Sequence, residues 1–217
     1  MRIGILGTGT VGNTLGTKLV ELGYDVKMGS RTASNDKAAE WVKSTKSPRA
    51  SQGTFADAAA FGEIVINCTS GNVAVEALKM AGAQNLRGKV LIDVSNAVDF
   101  SRGMPPTLTV ANTDSVGEQI QRTFPDAKVV KSLNTVGVEL MANPQQLANG
   151  EHDIFVAGND DGAREQVKKI LKDFGWKNII DLGDITAARG TEMYFALFVR
   201  LMMKQGRNFN LHIQKRS

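Results

Sequence analysis

Six residues near the start of the chain, Gly7-Thr8-Gly9-Thr10-Val11-Gly12, are spaced as a main-chain cradle for a diphosphate. Each glycine answers a different demand. Gly7 permits a tight turn, Gly9 lets an anion approach the backbone, and Gly12 lets a helix pack closely on the strand before it. In a chain with 22 glycines such a pattern alone carries little weight. Its context carries more. The apolar run Arg2–Leu6 leads into it, and Val11, Leu15, Leu19 and Leu22 recur behind it at helical spacing. Unpaired N–H groups in the first turn of that helix, aided by its dipole, would face the anion.

About twenty residues beyond this loop, where a carboxylate would hold the ribose hydroxyls of NAD, the chain reads Gly29-Ser30-Arg31-Thr32. A carboxylate would repel a 2′-phosphate, whereas the Ser30 hydroxyl and the Arg31 guanidinium would hold one through charge-assisted bonds. Lys37, on the next predicted helix, adds charge. These residues predict NADP(H) as the cofactor. The formal charge of +4, from 26 Lys and Arg against 22 Asp and Glu, suits an anionic ligand. The basic residues are spread along the chain without a recognition helix or stacking strand, so nucleic acid is not an expected partner. The single Cys68 excludes an intramolecular disulfide framework. His152 and His212 stand apart from one another, so no metal site is expected.

The elements that must position these residues alternate. Strands are expected over 2–6, 24–28, 63–67, 89–94 and 127–133, and helices over 11–22, 36–43 (capped by Ser34 or Asn35), 73–80 and 115–123. Apolar strands separated by helices indicate a parallel sheet covered on both faces. After about residue 135 a loop over 141–150 leads to a strand over 153–157, a helix over 162–174, a strand over 178–182 and a last helix over 187–205. Composition is ordinary for a globular chain, 42% hydrophobic and 22% charged. Arg2 leads into a short apolar run that stops at Gly7, so no secretory leader is expected. The stretch 194–203 is about half a membrane span and carries Arg200, so no membrane contact and a cytoplasmic location are expected. The last helix has no clean polar face over 193–203. Such a helix must be buried by core, by a second subunit, or against a planar ligand.

The opening RIGILGTGTVG, the MGSR strand end, and the later VVKSLNTV (129–136), FVAGNDD (155–161) and DLGDITAAR (181–189) resemble the NADPH-dependent reductases related to the coenzyme F420 (deazaflavin) NADP oxidoreductases. The resemblance implies a Rossmann doubly wound parallel sheet with a small C-terminal α/β unit. Residues 1–135 would be the NADP-binding domain, and residues 136–217 the unit completing a cleft. It also implies hydride transfer between the nicotinamide and a small-molecule redox acceptor, a deazaflavin (coenzyme F420) or flavin, in a homodimer. Carried onto this chain, Gly7, Thr8, Gly9, Thr10, Val11 and Gly12 would cradle the diphosphate, and Ser30 and Arg31 would hold the 2′-phosphate. Thr69, Ser70 and Asn96 would line the ribose and nicotinamide. Asn134, Thr135 and Val136 would lie where the two rings meet. Asn134 is a departure, because the archaeal enzymes carry histidine there. Hydride transfer needs orientation more than acid–base help, which fits the lack of an obvious catalytic acid or base. Asp93, Lys131 and Cys68 read as structural. Two other readings stand beside this one: an imine reductase related to pyrroline-carboxylate reductases, and a non-catalytic NADPH-binding module.

Overall fold

The computed structural model describes residues 1–216. In chain order its first half runs β1 (Arg2–Leu6), α1 (Thr10–Glu21), β2 (Asp25–Ser30), α2 (Asp36–Thr45), β3 (Ala50–Thr54), α3 (Phe55–Phe61), β4 (Ile64–Asn67), α4 (Ala74–Ala81), α5 (Ala83–Leu86) and β5 (Val90–Asp93). A short hairpin follows, β6 (Val98–Asp99) and β7 (Thr107–Leu108), then α6 (Val116–Thr123), β8 (Lys128–Ser132) and α7 (Val138–Ala142). The chain closes with β9 (Asp153–Gly158), α8 (Asp161–Phe174), β10 (Asn178–Asp181) and α9 (Ala188–Gln205).

Among the described residues eight strands form one sheet in the order β10-β9-β8-β5-β4-β1-β2-β3. The six strands from β3 to β8 are parallel, the doubly wound arrangement expected. β9 then adds antiparallel to β8, and β10 lies parallel to β9. The residues after 135 therefore extend the same sheet at its edge, an attachment that their own periodicity does not reveal.

Alternation along the strands feeds two cores. Ile3, Ile5, Ile64 and Ile66 point to the face covered by Leu15 and Leu19 of α1, Trp41 of α2 and Leu171 of α8. Leu6, Val65, Leu91 and Val129 point to the other face, against Phe55 of α3, Leu78 of α4 and Ile120 of α6. Each such side chain, once fully buried, contributes about 1.5–3 kcal/mol, so Leu78→Ala would be felt throughout the second core. Gly4 sits where α3 crosses β1: a Cβ there would lie 2.1 Å from the Ala58 carbonyl oxygen.

Strand β3 and helix α3 are absent from the sequence expectation. The strand reads ASQGT, without an apolar run, because it pairs only with β2 at the sheet edge. Helix α3 is seven residues long and is held by a capping box. Asp57 N–H donates to Thr54 Oγ1 at 3.1 Å, and Thr54 N–H donates to Asp57 Oδ2 at 2.8 Å. No described helix is long and apolar enough to cross a membrane.

Candidate functional site

The parallel strands all end on one side of the sheet, and the loops there form a crevice, the usual ligand position in such folds. The glycine turn closes it at β1. Gly7 has φ +124°, and a Cβ on it would lie 2.8 Å from the Cys68 carbonyl oxygen. A Cβ on Gly12 would lie 2.2 Å from the Gly7 carbonyl oxygen, so α1 approaches the turn as closely as glycine allows. Gly9 differs, with no atom within 4 Å of where its Cβ would be. The first turn of α1 carries neither a side-chain cap nor an acidic residue, which leaves its N–H groups free above that open cradle. Space and donors both fit a diphosphate.

Beside the turn is a concavity of about 400 Å³ lined by Gly7, Thr8, Ser30, Arg31, Thr32, Asn35 and Phe55. Arg31 is exposed and makes no ion pair among the described residues. The Ser30 hydroxyl donates to the Thr32 carbonyl, so the guanidinium is the free charged donor of this corner. Lys37 lines a different feature, a groove of about 780 Å³ between α1 and α2 that also includes Thr8, Gly9, Thr10, Asn13 and Trp41.

The opposite end of the crevice is apolar. A cavity of about 500 Å³ gathers Val11, Cys68, Thr69, Ser70, Asn96, Asn134 and Val136 on the sheet side. Phe195, Phe198 and Met202 of α9, with Phe100 of the loop after β6, line it as well. Leu133, at the end of β8, is buried with φ +62°, a left-handed conformation that costs a non-glycine residue about 1 kcal/mol or more. The bend delivers Asn134 to the cavity. Its Nδ2 donates to Asn96 Oδ1 at 3.1 Å, while Asn96 Nδ2 donates to the Asn134 carbonyl at 2.9 Å. Thr135 is buried and does not itself line the cavity. Burial and the nearby Asp93 charge push the Cys68 thiol up, away from reactive thiolate chemistry.

Beneath this cavity lies a charge cluster. Lys131 Nζ contacts Asp93 Oδ2 at 2.7 Å and Glu192 Oε1 at 2.8 Å, with all three side chains almost fully buried. Glu192 in turn caps α6, accepting the N–H groups of Val116 at 2.8 Å and Gly117 at 3.1 Å. Burial works against the Lys131 charge, yet Asp93 and Glu192 lift its pKa above the ordinary lysine range. Burial also pushes the Glu192 carboxyl up, opposed by Lys131. Asp93 and Lys131 thus sit under the crevice, consistent with a structural reading. Glu192 and Asn67 went unnoticed in the sequence. A carboxylate alone in an apolar helix, matched by a lysine inside an apolar strand, is the signal that would have paired Glu192 with Lys131. His152 is buried between the Pro144 carbonyl and Asn210, well removed in its contacts from these loops. Among the described residues no group of three or more His, Cys, Asp or Glu could hold a metal ion.

Comparison with known proteins places this geometry. The family model described as NADP oxidoreductase, coenzyme F420-dependent, matches residues 2–97. A crystal structure from Arthrobacter sp. FB24, named as a candidate F420-dependent NADP-reductase, is 48% identical, with a TM-score of 0.94 over 99% of this chain and 100% of its own. The F420-dependent NADP reductase of Methanocaldococcus jannaschii is 28% identical over 94% of this chain and 93% of that protein. The metalloreductase STEAP3 of Rattus norvegicus is 29% identical over 88% of this chain, which spans only 36% of STEAP3. Near-complete mutual coverage at 48% identity, together with the match over the glycine turn, Arg31 and the Thr69 and Asn96 loops, means that this chain belongs to the family of coenzyme F420-dependent NADP oxidoreductases.

Proposed function

We propose that this chain is an NADPH-dependent reductase that passes a hydride from the nicotinamide to a deazaflavin or flavin-type ring. The observation that carries the reading is the cavity beside the glycine turn, which faces polar loop ends with an aromatic helix. Arg31, with Ser30 beside it, takes the 2′-phosphate, with Lys37 adding charge from the neighbouring groove. Gly7, Thr8, Gly9, Thr10, Val11 and Gly12 hold the diphosphate, and Thr69, Ser70 and Asn96 receive the ribose and nicotinamide. Bound NADPH supplies the hydride.

The chain's own contribution is orientation and dryness. Val136 and Val11 on one side, with Phe195, Phe198 and Met202 on the other, form walls that accept a planar ring and exclude water. Such walls would keep donor and acceptor atoms about 3–3.5 Å apart, where most of the rate enhancement arises. Asn134, locked against Asn96, keeps its Oδ1 free to accept an N–H from one of the two rings. Thr135, the buried residue that follows it, supports that position. The protein works as a homodimer through the exposed apolar residues of α9, Met193, Leu197 and Met203, and light scattering of the purified protein would measure a dimer mass.

The test follows the nicotinamide absorbance band of NADPH mixed with protein and one acceptor at a time. Oxidation with coenzyme F420 or FMN, and none with a cyclic imine, is the expected result. Turnover of the imine alone would make the chain an imine reductase. Tight NADPH binding with no turnover of any acceptor would make it a binding module.

A further inference from the structure

A chain of hydrogen bonds runs beneath the cavity, and its direction is set at its buried end. Lys131 carries three donors and no acceptor, and it spends them on Asp93, on Glu192 and on the Ser95 carbonyl. Asp93 therefore accepts from every polar neighbour. Its Oδ1 takes Asn67 Nδ2 at 2.8 Å, the Ser95 hydroxyl at 2.8 Å and the Ser95 N–H at 3.3 Å. With its NH₂ committed to a carboxylate, the fully buried amide of Asn67 has one orientation, with the oxygen turned toward the next loop. That oxygen accepts the Thr69 N–H at 3.2 Å and the Thr69 hydroxyl at 2.7 Å. The inverted amide would set Asn67 Nδ2 against the Thr69 N–H and Asn67 Oδ1 against the Asp93 carboxylate, two repulsive contacts where buried polar groups are costly to leave unpaired.

The consequence appears at the cavity. Thr69 lines it with both of its donors already used inside the protein, so only the lone pairs of Oγ1 face the ligand. Ser95, which also lines the cavity, has given its hydroxyl proton to Asp93 and faces the same way chemically. A rim of two hydroxyls held as acceptors suits a ligand that brings N–H groups.

We propose that Asn67 is a positioning residue, oriented by Asp93 and Lys131, which fixes Thr69 as a hydrogen-bond acceptor and so selects the amide NH₂ of the nicotinamide. The proposal rests on the reading that the nicotinamide end of NADP lies at this rim.

The experiment measures calorimetric affinities of the wild-type protein and Asn67→Leu for three ligands. These are NADP⁺, its acetylpyridine analogue, which carries a methyl group in place of the amide NH₂, and 2′-phospho-ADP-ribose, which lacks the pyridine. The wild type should favour NADP⁺ over the analogue by about tenfold, the share of one well-made hydrogen bond. Asn67→Leu should reduce that preference to within about twofold and leave the affinity for 2′-phospho-ADP-ribose unchanged. If Asn67→Leu does not fold, Thr69→Val removes the acceptor while keeping Lys131, Asp93, Asn67 and the Thr69 N–H bond in place, and must abolish the same preference. A wild type without amide preference, a variant that keeps it, or equal weakening of all three ligands overturns the proposal. Failure of the wild type to bind 2′-phospho-ADP-ribose at all would instead strike the NADP reading beneath it.

Discussion

The two ends of the crevice are built by opposite means. The end at Arg31 carries the polar and charged groups, and apart from Phe55 it comes from two short segments, 7–12 and 30–35, whose main-chain donors and one unpaired guanidinium need little support. The end at Asn134 is apolar and is assembled from the first turn of α1 and the loops after β4, β5 and β8 together with α9. Three buried charges, Asp93, Lys131 and Glu192, tie β5, β8, α9 and the start of α6 together beneath it. Fixed ligand charge can be met by a local device, because phosphate attracts donors over a distance. A flat ring offers little charge to grip, so its position depends on the rigidity of everything around it.

The largest effect that probes this contrast falls on the supported end. Lys131→Met strands two buried carboxylates and should cost about 3–5 kcal/mol of stability in denaturant unfolding. A loss below about 1 kcal/mol would mean the cluster does not hold the apolar end together. On the local end the glycines should separate stability from binding. Gly12→Ala forces a Cβ onto the Gly7 carbonyl and should cost about 1–3 kcal/mol in the same measurement. Gly9→Ala meets no protein atom and should leave stability within about 0.5 kcal/mol while weakening NADPH binding. Equal stability losses in the two variants would contradict this division.

The smallest effect lies outside the crevice, at the entry to α6. The hydrogen bond from Arg122 holds the Asp114 carboxyl down at about 2. That lies below its unfolded value of about 3.9, so the contribution is present above about pH 4 and fades as the pH falls toward 2. The Tm difference between wild type and Asp114→Asn should shrink over that range. A difference that grows there would mean the pair does not stabilise the fold. Because the partners are partly exposed, the effect is modest.

Legibility in the sequence follows the same contrast. The glycine turn, β1, α1 and the Ser30–Arg31 corner are contiguous, and each residue's type states its task. The parallel core was readable because Ile64–Asn67 and Val90–Asp93 are buried on both faces and so read as unbroken apolar runs. β3 was not, since an edge strand of Ser, Gln and Gly shows no such run. Thr69, Ser70, Asn96, Asn134 and Val136 came forward through family resemblance, and the structure gathers them around one cavity. Asn67 and Glu192 escaped notice because their partners lie 26 and 61 residues away, at Asp93 and Lys131, and no local pattern encodes such a distance. The antiparallel turn of β9 onto β8 escaped for the same reason.

On the proposed function Arg31 is the principal reader of the 2′-phosphate, with Ser30 and Lys37 in support, while the contacts to the diphosphate, ribose and nicotinamide treat NADPH and NADH alike. Calorimetric titration of wild type and Arg31→Ala with NADPH and NADH tests it most directly. Arg31→Ala should weaken NADPH binding by about 1.5–3 kcal/mol, one to two decades, and leave NADH almost unmoved. A wild type that prefers NADH, or a variant that loses both cofactors equally, would contradict it.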